Sequence, residues 1–146
     1  MAMTQGLFKK TAHSWANSRG VQLRLALGNL TKLTLEEHSF LTNVSTWSFT
    51  VEGDKIKQSV ETLETPKPAP QADFALTKDE FINGLLDLHL EQWKKHYTPI
   101  GYAVSDGMSW KLTLTCDGSE RVIVFSGENA FPRNYSKLKQ LLGIVE

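Results

Sequence analysis

Two β-rich runs meet at an Asp-Gly pair within Ser105–Pro132, and no other stretch restricts the fold of this chain as strongly. Trp110, Leu112, Leu114 and Cys116 alternate with Lys111, Thr113 and Thr115, the period of two expected of a strand with one buried face. Asp117-Gly118 tolerates the positive φ of a tight turn, and the chain returns through Val122, Ile123, Val124 and Phe125. An apolar run without alternation predicts a strand that is central or covered on both faces. The stretch reads as a central hairpin closed by the loop Ser126–Pro132.

Upstream, Val21, Leu23, Leu25 and Leu27 alternate with Gln22, Arg24 and Ala26, then Gly28-Asn29 offers a turn before Leu33 and Leu35. That pattern predicts a first hairpin. Trp47, Phe49 and Val51 alternate with Thr46, Ser48 and Thr50, and Gly53-Asp54 separates them from a weaker run, Ile56 to Leu63. This predicts a second hairpin. Pro66, Pro68 and Pro70 make residues 64–73 an extended crossover, because proline removes backbone donors.

Thr77-Lys78-Asp79-Glu80 is a capping box, so a helix is expected to start there. Ile82, Leu85, Leu86, His89, Trp93 and Tyr97 continue at helical spacing and predict one long helix ending at Pro99 and Gly101. Asn134 is placed to cap a short final helix through Leu142, with Gly143 at its end. The expected fold is α+β: one domain over residues 21–146, an antiparallel sheet of about six strands (a meander plus the C-terminal hairpin), and one long and one short helix packed on it. Residues 1–20 are expected to be a loose N-terminal arm.

At 146 residues the chain is long enough for a single unaided core. With 40% hydrophobic and 22% charged residues its composition is that of an ordinary globular domain, and no apolar run reaches the ~20 residues of a membrane helix. Sixteen basic and 16 acidic residues cancel, so there is no broad field inviting nucleic acid or anionic lipid. Gly6-Leu7-Phe8 is interrupted by Lys9-Lys10, too short for the apolar core of a secretion signal, and the single Cys116 excludes an internal disulfide. Both point to the cytoplasm.

No catalytic constellation is legible. His13, His38, His89 and His96 form no zinc-ligand spacing, and His89 and His96 lie about 10 Å apart along a helix axis at ~1.5 Å per residue. Glu36-Glu37-His38 reads as solvated charge with no nucleophile beside it. Cys116, in the inward phase of its strand, reads as an inert core thiol. Ser126-Gly127-Glu128-Asn129 lacks the glycine spacing and lysine of a phosphate loop. Neither a cofactor nor a metal is expected.

From the helix onward the chain resembles a family of small bacterial proteins sharing a C-terminal pattern. The residues that carry it are Trp93 and Tyr97, Asp106-Gly107 followed by Trp110 and Leu112, Asp117-Gly118, and Ser126-Gly127-x-Asn129-Ala130-Phe131-Pro132. Phe131 stands where that pattern more usually has Tyr. The resemblance covers somewhat under half of the chain. It implies an antiparallel sheet with one long and one short helix, and brings no established catalytic residues.

The expectation for function is a non-enzymatic protein that binds another protein, of the inhibitor, immunity or phage anti-defence type, with an open sheet edge available to a partner strand. Nucleic-acid binding through the basic N-terminal region, with Trp stacking on bases, is the alternative. Candidate contact residues are Lys9, Lys10, Trp15, Arg19, Arg24, Trp47 and Phe49. A homodimer through the first hairpin is a further option, and no membrane partner is expected.

Overall fold

A computed structural model describes residues 20–39, 44–62, 72–99 and 107–144 of the chain. The fold is α+β. Seven strands form one sheet: β1 (Leu30–Ser39), β2 (Val44–Glu52), β3 (Lys55–Thr62), β4 (Ala72–Thr77), β5 (His96–Tyr97), β6 (Met108–Cys116) and β7 (Arg121–Glu128). They lie in the order β4-β3-β2-β1-β6-β7-β5, antiparallel except for the two-residue parallel pairing of β5 with β7. The helices among the described residues are α1 (residues 20–27), α2 (Lys78–Asp87) and α3 (Tyr135–Leu141).

Residues 21–27 are therefore helical, and the expected first hairpin does not form. Leu23, Ala26 and Leu27 are buried, a spacing of three and four that points them all to one side. Val21 and Leu25, which complete the strand-like alternation, are left 54% and 69% exposed. Two leucines that fit both periods disguised the helix, and Leu, Ala, Gln and Arg all favour helix intrinsically. The strand begins only at Leu30 and runs to Ser39.

The second hairpin forms as the alternation requires, with Val51 opposite Ile56 and Gly53 at φ +66° in the turn. The proline crossover lies mostly outside the described residues, but Ala72 and Asp73 already belong to β4. That strand is brought in by packing: Phe74 meets Phe49 edge-on at 5.1 Å between ring centroids and Phe81 of α2 at 5.9 Å.

The capping box closes at both ends, the Glu80 amide donating to Thr77 Oγ1 at 3.2 Å and the Thr77 amide to Glu80 Oε1 at 2.9 Å. The helix it starts is shorter than its apolar stripe predicts, because His89 at φ +53° turns the chain out of the helix. Two of the final carbonyls are taken by tertiary donors, Leu86 by the Arg24 guanidinium at 2.9 Å and Leu88 by Asn134 Nδ2 at 2.7 Å. Asn134 thus ties α3 to the end of α2 and makes no side-chain cap of its own helix. Trp93 and Tyr97 leave the helix and reach the sheet separately, past the single 3-10 turn Leu90–Gln92.

The C-terminal hairpin is present, with Leu112 opposite Phe125 and Leu114 opposite Ile123. Its return strand is neither central nor covered on both faces: β7 is next to last in the sheet, and Val122 is 56% exposed. One layer of helices covers the face carrying Leu33, Leu35, Phe49, Leu112 and Leu114, all wholly buried. Cys116 lies in that face, and burial, with Asp117 nearby, pushes its thiol up from its ordinary pKa.

The pattern residues of the C-terminal half interlock. Trp110 donates from Nε1 to the Ala130 carbonyl at 2.8 Å and stacks on Phe131. Asn129 Oδ1 accepts from the Met108 amide at 2.8 Å, and Trp93 Nε1 donates to Asn134 Oδ1 at 2.9 Å. A Cβ on Gly127 would stand 2.3 Å from Trp110 Nε1 and 2.5 Å from the Ala130 carbonyl oxygen. Gly127→Ala should therefore destabilise the fold by about 1–3 kcal/mol through overpacking, read as a lowered urea midpoint at unchanged m-value. Gly118→Ala, with open space around it, provides the comparison for strain from positive φ alone.

Candidate functional site

The edge of β7 is the most distinctive surface that this sheet presents. Antiparallel pairing with β6 runs without a register slip from Arg121 to Glu128. On its other side β7 is paired, among the described residues, at Ser126 and Gly127, opposite His96 and Tyr97. The Ser126 amide donates to the Lys95 carbonyl at 3.0 Å, which fixes the direction of the alternating backbone groups. In a strand, residues two apart aim their N–H and C=O the same way. Val124 and Val122 therefore present theirs to the open edge, while Ile123 and Phe125 bond to β6.

A groove of about 390 Å³ runs beneath this edge on the helix-covered side of the sheet. Leu23 of α1, Leu90 and Trp93 line one wall, and Ile123 and Phe125 line the other. Glu91 in the groove bonds to His89 Nδ1 at 2.9 Å and faces Arg24 Nη1 at 3.4 Å. Burial raises its pKa, and the bonds to His89, its own amide and Arg24 outweigh that, so the carboxyl stays ionised below its ordinary range. The opposite edge of the sheet differs: β4 is short and joins β3 through a register irregularity between Lys55 and Lys57.

A second feature lies at the far end of the central strands. Glu37, expected to be solvated, is 8% exposed, accepts from Tyr135 Oη at 2.6 Å and pairs with Lys139, itself 6% exposed, at 3.0 Å. Lys139 also stands 5.6 Å from the centroid of the Trp47 ring. Tyr135 and Lys139 are one helical turn apart on α3, so the pair fastens that helix to β1. Beside them Met108, Phe131 and Ile144 line a cavity of about 510 Å³.

Three of the seven residues singled out for partner contact lie among the described residues. Phe49 is wholly buried and Trp47 is half-buried against the core. Arg24 is on α1 and is committed to Leu86 and Glu91. Lys9, Lys10, Trp15 and Arg19 lie outside the described residues. Among the described residues no group of three His, Cys, Asp or Glu could hold a metal, and no helix is long and apolar enough to cross a membrane. Family models, curated proteins and solved structures contain no match to this chain.

Arg121 and Lys95, which border the groove, were not found from sequence. The signal that hid them is the apolar run Val122–Phe125, which reads as a covered strand, and only the brief pairing of β5 shows where coverage stops. The buried pair yields a separate expectation. Lys139→Met should cost about 3–5 kcal/mol by leaving Glu37 buried without its cation, whereas Glu37→Leu with Lys139→Met should recover most of that loss. Chemical denaturation of the two single variants and the double variant measures the coupling.

Proposed function

We propose that this protein is a non-enzymatic binding protein that acts on another protein by accepting one of its strands at the β7 edge. An inhibitor, an immunity protein or a phage anti-defence factor works by such contact, and the C-terminal resemblance to small bacterial proteins agrees with that setting. The observation that carries the reading is the run Arg121–Phe125: regular, unpaired outward among the described residues, and bearing the half-exposed Val122. Edges of this kind are normally blunted by bulges or covered, because they template further strands. Strand addition gains its affinity from main-chain bonds and its selectivity from alternate side chains.

The nucleic-acid alternative loses support from Arg24, Trp47 and Phe49, which are engaged or turned inward, and rests on the N-terminal residues outside the description.

Val124→Pro removes an outward N–H without touching the β6 ladder, a substitution edge strands tolerate. In a pull-down from native lysate at low salt, the unmodified protein should retain a stoichiometric partner, and Val124→Pro and Val122→Lys should both lose it. Both variants should keep the wild-type melting temperature within about 2–4 °C, the shift of a ~1 kcal/mol change in a chain of this size. A partner held equally by all three proteins, or no partner at all, overturns the assignment.

A further inference from the structure

Two cations border the groove below the β7 edge, and neither is in an ion pair among the described residues. Arg121 is exposed at the start of the strand, and Lys95 holds its Nζ 5.3 Å from the Phe125 ring centroid at the other end. The one carboxylate lining the groove, Glu91, is already engaged by His89 and Arg24. Glu120 precedes Arg121 in the exposed turn, and Glu128 lies beyond the part covered by β5. Leu23, Leu90 and Ile123 belong to the apolar part of the groove lining, beside Gln22.

We propose that the segment accepted at this edge is acidic: an extended stretch of a partner protein with two carboxylates flanking one apolar side chain. The proposal rests on the reading of β7 as the partner-binding edge. A strand laid along Val122 and Val124 alternates its side chains between the two faces of the sheet. The residue opposite Ile123 points into the groove toward Leu23 and Leu90. Residues two positions away, ~7 Å to each side, point the same way: one arrives beside Arg121, and the other is the last of the added strand, ending against Lys95, whose carbonyl already holds the Ser126 amide. Carboxylates at those two positions meet the two cations. The intervening residues lie on the other face next to Val122 and Val124, where β-branched side chains pair well across strands. The resulting order, acid-Val-Leu-Val-acid, is symmetric, so it fits in either strand direction.

Basic residues at a sheet edge also repel stray strands. That alternative makes the opposite forecast for an acidic probe: no uptake of any strand.

The probe is the acetylated, amidated peptide Glu-Val-Leu-Val-Glu, titrated into the isotope-labelled full chain and followed by amide shifts. It should move the Val122 and Val124 amides most, with a dissociation constant on the order of 100 μM that weakens as salt is raised. The Lys-Val-Leu-Val-Lys peptide should bind at least ~10-fold more weakly, a difference of about 1.4 kcal/mol. Arg121→Glu, at an exposed position, should abolish that preference, because Lys95 alone still favours the acidic peptide and the new carboxylate opposes it. If both peptides shift the β7 amides equally and Arg121→Glu changes nothing, the acidic specificity is wrong and the edge assignment stands. If neither peptide moves Val122 or Val124 in the folded protein, the edge assignment itself is overturned.

Discussion

Everything in the C-terminal half of this structure depends on where Trp110 sits. Its indole is 2% exposed, donates to the Ala130 carbonyl, and is ringed by Trp93, Tyr97, Phe131 and Tyr135 at centroid distances of 5.0 to 6.3 Å. Each neighbour comes from a different segment. Trp93 follows α2, Tyr97 is β5, Phe131 belongs to the loop after β7, and Tyr135 opens α3. Loss of one such buried aromatic would cost about 3–5 kcal/mol, and here it would also release the backbone that places those segments. The pattern Trp93, Tyr97, Asp106-Gly107, Trp110, Ser126-Gly127-x-Asn129-Ala130-Phe131-Pro132 is the sequence record of this cluster, apart from Asp106, which lies outside the description. Gly107 stands so close to the Asn129 side chain that a Cβ would overlap it, and Gly127 admits the indole.

The same cluster explains what was and was not legible in the sequence. Strand alternation in β2, β3 and β6 reflects one buried face and nothing else, so it could be read directly. The capping box at Thr77 is local chemistry and was equally plain. The end of α2 was not, because it is set by donors 62 and 46 residues away in sequence, Arg24 on Leu86 and Asn134 on Leu88. The stripe from Ile82 to Tyr97 kept its helical spacing by accident, since Trp93 and Tyr97 are apolar for the sake of Trp110. The residues 21–27 failed differently: Leu23 and Leu27 satisfy a strand period and a helix period alike, and only the exposure of Val21 and Leu25 separates the two. Glu37 looked like surface charge because its cation, Lys139, comes from the last helix. The β7 edge was hidden for a different reason. Aromatic and basic side chains were weighed by type, whereas the open edge is a property of backbone pairing.

The open edge and the buried indole are linked. A β-bulge in β7 would blunt the edge, as the irregularity between Lys55 and Lys57 does for the pairing of β4 at the other end of the sheet. A one-residue slip, however, moves every following side chain to the opposite face. It would carry Gly127 away from Trp110, break the alignment that sets the Ala130 carbonyl on the indole N–H, and put the Ser126 side chain or the Glu128 side chain where no Cβ fits. The strand must therefore stay regular from Arg121 to Gly127. Pairing with β5 cannot extend far either, because Trp93, just ahead of it, is held by Asn134 Oδ1 and packs on Phe125 at 5.5 Å. Lys95 is left over the Phe125 ring at the point where β5 begins, and the groove under Ile123 stays open behind it. A regular edge, half-covered among the described residues and with a cation at each end, is thus what the packing of Trp110 leaves on the surface.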